Sequence, residues 1–237
     1  MTVLQAQRRP LVLAVHGTRS AEGTRTTQAL ARAVAGHLQV ETHLGWVDIH
    51  TPTLTDTLRK LGEAVVVPVF LTSGYHVTSD IPAAIAAAGG RASATAMVGA
   101  DVLPAVLDRL AEVGAFDAVG LAGAGSLRPR ALDQVRVVTN TLARAVDRPA
   151  LAGFVTAASP TVPEAVGALR AAGHARIAVA SYLLAPGRFS AQLMHAGADA
   201  VSRPIGVHPL LVHLIAERWN AALDQTLTVS RPKAVND

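Results

Sequence analysis

The sequence contains no cysteine. That excludes disulfides, thiolate metal sites and a cysteine nucleophile. Aromatic residues are scarce, with two Trp, two Tyr and four Phe in 237 residues, so a core must be built from Ala, Val and Leu. Half of the residues are hydrophobic, yet no apolar run approaches the ~18 residues of a membrane-spanning helix. Met1 to Pro10 is polar and lacks the apolar segment and cleavage site of a signal peptide, so a cytoplasmic location is expected. Lysine is nearly missing: Lys60 and Lys233 stand against 19 arginines, for a net charge of +4. Neither lysine follows a glycine, which excludes a P-loop and ATP-driven chemistry of that type. The arginines form no run and have few aromatic neighbours, which argues against a nucleic-acid surface. They suit bidentate grip on carboxylates, and they equally fit a composition rich in alanine and arginine throughout. A nucleophile elbow is also missing, because Gly123-Ala124-Gly125-Ser126-Leu127 has the wrong spacing. No Gly-x-Gly-x-x-Gly follows the first strand, so a dinucleotide fold is poorly supported.

What is present is a regular alternation of strand and helix patterns. Strands are expected near 11–15, 43–48, 64–71, 94–98, 117–122, 151–155, 176–184 and 202–206. Helices are expected near 24–38, 53–62, 80–88, 102–113, 129–146, 161–172, 190–197 and 208–222. This alternation predicts an α/β fold with parallel sheets and right-handed crossovers. Asp80 ahead of Pro82, and Thr161 with Pro163, read as helix starts. Gly62, Gly114 and Gly173 fall where helices should stop.

The chain also repeats itself. Ala14-Val15-His16-Gly17-Thr18 lies 108 residues before Ala122-Gly123-Ala124-Gly125-Ser126. Gly45-Trp46-Val47-Asp48, with Pro52-Thr53, matches Gly153-Phe154-Val155-Thr156, with Pro160-Thr161, at the same offset of 108. Phe70 to His76 matches Leu183 to Phe189 at an offset of 113, and Gly99 matches Gly206 at 107. Two similar flavodoxin-like halves follow, 1–114 and 115–225, with a tail over 226–237 expected to be disordered.

Three polar residues stand out against that repeat. Leu11 to Val15 reads as a fully buried strand that runs straight into His16. Asp48 ends the second strand, and His76 lies in the loop after the third. If these strands neighbour one another in the order 2-1-3, all three groups reach one crevice at the carboxyl edge of the sheet. Two imidazoles and a carboxylate suit a divalent first-row metal. Each residue alone also fits a structural role: His16 as a hydrogen-bonded turn residue, His76 closing its turn, Asp48 favouring the helix after Pro52. The repeat decides between these readings. His16 corresponds to Ala124, Asp48 to Thr156 and His76 to Phe189. A scaffold role would be needed in both halves, so the first half is expected to carry the metal chemistry and the second to complete the cleft. His43 and His50 flank Asp48 and read as surface or strand-edge residues, while His37, His174 and His213 read as structural.

Three segments resemble the sirohydrochlorin chelatase family: Ala14 to Arg19, Pro68 to Pro82, and Tyr182 to Phe189. The second is the most specific, since its turn, its histidine and its Asp80-Ile81-Pro82 helix start all recur in the family. The resemblance covers nearly the whole chain in the long, two-half form; shorter members supply one half and pair as homodimers. It implies insertion of Fe²⁺ or Co²⁺ into a reduced tetrapyrrole without ATP and without a permanent cofactor. His16 and His76 match the family's metal-site histidines, and Asp48 stands where many members have glutamate, one methylene longer. The implied substrate carries many carboxylates, for which Arg19, Arg128 and Arg188 in the expected mouth loops are candidate partners. A monomer is expected, because the repeat replaces a dimer. Two other functions fit the same residues: a non-catalytic metal or tetrapyrrole carrier, and another metal-dependent enzyme such as a hydrolase.

Overall fold

The computed structural model describes residues 9–229. Strand β1 (Leu11–Val15) leads into helix α1 (Ala21–Leu38), then β2 (Thr42–Trp46), α2 (Leu54–Leu61) and β3 (Val65–Pro68). Helix α3 (Ile81–Ala87), β4 (Ser93–Ala94) and α4 (Leu103–Ala111) complete the first half. The second half repeats the series as β5 (Ala118–Gly123), α5 (Pro129–Val146), β6 (Ala150–Phe154), α6 (Val162–Ala171), β7 (Ile177–Ser181), α7 (Arg188–Leu193), β8 (Ala200–Val201) and α8 (Pro209–Val229). All strand pairs are parallel, in two four-stranded sheets of order β2-β1-β3-β4 and β6-β5-β7-β8. The 2-1-3 order expected from the sequence is therefore the observed one.

The repeat is kept at the level of single bonds. Ala14 pairs with Gly45 as Ala122 pairs with Gly153, each at the offset of 108. Thr53 and Thr161 cap α2 and α6 with matching capping boxes, closed by Asp56 and Glu164. Gly17 and Gly125 both take a left-handed φ, +98° and +94°, because a Cβ there would run into the carbonyl oxygen of Asp48 or Thr156. That close approach draws the end of β1 onto the end of β2, and it does the same in the second half.

Alternation along β1 shows how the core is divided. Leu11, Leu13 and Val15 face a cluster that also holds Val119, Leu121, Phe154, Tyr182 and Trp219 of the second half. Val12 and Ala14 face a smaller layer with Leu54, Leu58 and Ile81. One core therefore runs through both halves, with a satellite layer on each outer face. The closing helices are exchanged across the seam: α8 packs on α1 and β3, and α4 packs on β7 and α5. Trp219, fully buried on α8, donates its indole N–H to the Arg9 carbonyl 3.1 Å away. Each half covers its sheet with its own helices and completes the cover with one helix from the other half.

Three details differ from the sequence expectation. The third strand ends at Pro68 rather than at Leu71; Val69 N keeps one bond to Ala14 O, and Val69, Phe70 and Leu71 are apolar because they pack against the core layers. Strands β4 and β8 are two-residue edge pieces. Helix α8 continues to Val229, past the start of the tail expected at 226, and residues 230–237 lie outside those described.

Candidate metal site

His16 is the residue that leaves β1. Beyond it, the β2 backbone keeps pairing for two more residues, with Val47 N donating to Val15 O at 2.8 Å and Asp48 N to His16 O at 3.1 Å. This brings Asp48 alongside His16 through main-chain bonds alone. Asp48 does not cap α2, whose cap is Thr53; the residue is exposed, and its Oδ1 accepts from Ile49 N at 2.8 Å. His50, two residues on, reaches Thr18 O at 2.6 Å through Nε2 and lies against Trp46, so it pins the His16 loop and stays structural.

His76 arrives differently. After Pro68 the chain runs through an irregular loop and enters one turn of π-helix, His76–Asp80, before α3. Such turns place side chains where a regular helix would not, and they recur at functional sites. His76 Nδ1 lies 2.6 Å from Asp80 Oδ2 across that turn. Asp80 was expected as the cap of α3; its carboxylate caps nothing and instead holds His76. With Nδ1 occupied, Nε2 is the nitrogen left to bind a cation, and the carboxylate fixes both tautomer and ring angle. The four-residue spacing from His76 to Asp80 was the available signal, and the adjacent Pro82 masked it by suggesting a cap.

The structure brings His16, Asp48 and His76 together. The imidazole centroids of His16 and His76 are 4.5 Å apart at 80°. One ligand atom from each of the three residues lies within 4.8 Å of the others. Two bonds of ~2.1 Å to one ion span at most ~4.2 Å, so a small rotation of these accessible side chains converges all three. Crowding by the surrounding protein desolvates His16 and lowers its pKa from the ordinary 6.5; His76 lowers it further, and Asp48 opposes both. His16 therefore carries a lone pair, not a proton, at neutral pH. Among the described residues, no other group of three or more His, Cys, Asp or Glu side chains converges in this way.

Arg19 and Arg128 are exposed in loops, and Arg188 is exposed at the first residue of α7. Arg128 lies over the Tyr75 ring, 5.2 Å from its centroid. Arg188 lines an open cavity of about 600 Å³ together with Ser20, Glu22 and Arg203. That cavity adjoins the His16 loop through Ser20 but does not include the imidazoles. Among the described residues, no hydrogen bond or ion pair joins these three arginines to His16, Asp48 or His76.

The comparisons with known proteins agree with this architecture. The CbiX family model matches residues 10–111 and 118–222, one match per half. The fold is similar to that of SirB from Bacillus subtilis with Fe³⁺, at a TM-score of 0.77 and 22% identity, covering 94% of this chain and 98% of that one. It is also similar to SirB from Bacillus subtilis subspecies spizizenii in complex with cobalt, at a TM-score of 0.75, 20% identity and coverages of 94% and 98%. A third structure, CbiX described as the terminal enzyme for biosynthesis of sirohaem in denitrifying bacteria, aligns at a TM-score of 0.65 and 24% identity, covering 91% of this chain and 99% of that one. A search of curated proteins by sequence found no match. Among the described residues no helix is long and apolar enough to cross a membrane. On the strength of a family match in each of two repeated halves, the chain belongs to the CbiX family, the sirohydrochlorin chelatase family of the sequence resemblance, in its long two-half form.

Proposed function

We propose that the chain is a sirohydrochlorin chelatase, inserting Fe²⁺ or Co²⁺ into sirohydrochlorin for sirohaem or cobalamin synthesis. The observation that carries this reading is the convergence of His16, Asp48 and His76 in one half, where the other half has Ala124, Thr156 and Phe189. A scaffold that needed these side chains would have kept them twice. The similar SirB structures, which hold iron and cobalt, support metal handling by this fold.

Insertion exchanges two pyrrole N–H protons for one divalent ion. A neutral imidazole can first ligate the ion and then accept a proton as the metal leaves for the macrocycle. His16, held neutral by desolvation, binds the ion and releases a captured proton readily to solvent. His76, oriented by Asp80, is the second ligand and base. Asp48 balances the charge of the ion from an exposed position, so the ion is held without a closed cage and can leave. Arg19, Arg128 and Arg188 stand at the mouth, where the substrate's carboxylates would be drawn. No ATP and no permanent cofactor enter this scheme. The protein acts as a monomer in the cytoplasm, each half supplying what a second subunit would.

The test is anaerobic absorbance of sirohydrochlorin with the purified protein and Fe²⁺ or Co²⁺ in parallel, against a no-protein control. Accelerated conversion with either metal supports the reading and shows which pathway it serves. Tight binding of metal or tetrapyrrole without acceleration would make the protein a carrier. A permanently bound metal with no affinity for the tetrapyrrole would point to another metal-dependent enzyme.

A further inference from the structure

The half that has Ala124, Thr156 and Phe189 in place of the metal-site residues touches the loop that carries His76 at alternate positions. Tyr182, just beyond β7, places its hydroxyl 3.1 Å from Leu71 O and 3.0 Å from Gly99 O, so one proton is shared between two carbonyls. Gln134, on α5, accepts at Oε1 from Ser73 N at 2.8 Å and from Ser73 Oγ at 3.0 Å. Arg128 lies over the Tyr75 ring, and its Nη1 is 3.4 Å from Thr78 Oγ1. Positions 71, 73 and 75 are thus held in turn by the second half, and His76 follows immediately. Apart from bonds within the π-turn and α3, such as His76 Nδ1 to Asp80 Oδ2 and Ile81 N to His76 O, the hydrogen bonds that residues 71–78 make outside their own segment run, among the described residues, to the second half. The segment's own bonds, Gly74 N to Thr72 O and Thr78 to Gly74 O, shape its turns without tying it to the sheet.

We infer that Gln134 and Tyr182 are positioning residues for the metal site: the second half fixes His76 in register with His16 by gripping the 71–75 loop. The inference rests on the chelatase reading of His76, and it assigns the second half a role beyond covering the cleft. Gln134 is the stronger grip, because it satisfies both a backbone N–H and a hydroxyl of one residue. Removing its oxygen orphans the Ser73 N–H, which then has no partner in its own half. Tyr182 occupies the place that Val69 holds in the first half: Tyr182 N bonds to Ala122 O as Val69 N bonds to Ala14 O. Where the first half ends that bond with an aliphatic side chain, the second extends a hydroxyl across the seam.

The test is Co²⁺ binding without tetrapyrrole, read from the visible absorbance of the bound ion, beside the insertion rate of the same proteins. Gln134→Leu should weaken Co²⁺ binding about tenfold, the scale of losses seen when support of a metal ligand is removed. Gln134→Glu keeps the accepting oxygen and should restore affinity to near the native value. Tyr182→Phe keeps the buried ring and should produce a smaller loss in the same direction. In a His76→Ala background, Gln134→Leu should have no further effect, because its action passes through His76. Native affinity in Gln134→Leu, or an equal loss with His76 already removed, would overturn the inference. A protein that binds Co²⁺ with this pattern but does not insert it would leave the inference standing and refute the chelatase reading; insertion that is indifferent to Gln134→Leu, with Co²⁺ binding unchanged, would do the reverse.

Discussion

Asp80 holds the His76 imidazole at 2.6 Å through Nδ1, across a single π-turn that places the two side chains on one face. A carboxylate in this position leaves Nε2 as the nitrogen available to a cation and raises its donor strength. Asp80→Ala should weaken Fe²⁺ or Co²⁺ binding by about ten- to a hundredfold while leaving the fold intact. Asp80→Asn, which can still accept from Nδ1, should fall between the two. Metal titration of the three proteins checks this, and equal affinities would remove Asp80 from the site.

The pKa of His16 lies below the ordinary histidine value because surrounding protein partly desolvates its cation and His76 adds to that, while Asp48 acts in the opposite direction. Each sign gives an outcome. His76→Ala should raise the His16 pKa, by admitting solvent and removing a repulsive neighbour. Asp48→Asn should lower it, by removing an attractive one. Imidazole nitrogen chemical shifts followed through a pH titration read both changes.

Glu112 accepts across the seam from Arg203 at 2.6 and 2.8 Å and within its own half from Arg109 at 2.9 Å, and these partners hold its carboxyl at about 2 against an ordinary 4.5. A depressed carboxylate pKa contributes stability that is present above the unfolded value and is lost as pH falls through the folded one. Glu112→Gln should therefore be less stable than the native protein at neutral pH. The gap should narrow as pH drops from about 4.5 towards about 2. Urea unfolding at several pH values measures the gap, and a gap independent of pH would contradict the assignment.

Trp219 is the largest fully buried side chain, and it sits on the helix that crosses from the second half onto the first. Trp219→Ala should cost about 3–5 kcal/mol, and because one core serves both halves the loss should appear as a single shifted transition. Two separate transitions in calorimetry would mean that the halves fold independently.

The legible part of this protein is the part that repeats. Leu11 to Val15 announces itself as a buried strand, and the 108-residue offset places the second half before any coordinate is known. The same offset exposes the asymmetry of His16, Asp48 and His76, so the site could be read as a set rather than as three ambiguous residues. What stays hidden is set by contacts between residues that the repeat does not relate. The exchange of α4 and α8 depends on which sheet each apolar helix face meets, and hydrophobic periodicity cannot name a partner. The strand ending at Pro68 looked longer because Val69 and Phe70 are apolar for packing reasons. Asp80 next to Pro82 carries the marks of a helix cap, and only the π-turn turns its carboxylate to His76. Gln134 and Tyr182 have no local mark at all, since their partners lie 61 and 111 residues away.

The account turns on metal passing through the first half's imidazoles, and the most direct measurement is the initial rate of metal insertion into sirohydrochlorin by His16→Ala, His76→Ala and the double variant beside the native protein. The account predicts that each single variant loses most of the acceleration over the no-protein rate, and that the double variant loses little more than the worse single one, because the two residues act as a unit. Native rates in both single variants would contradict it and move the chemistry away from His16 and His76.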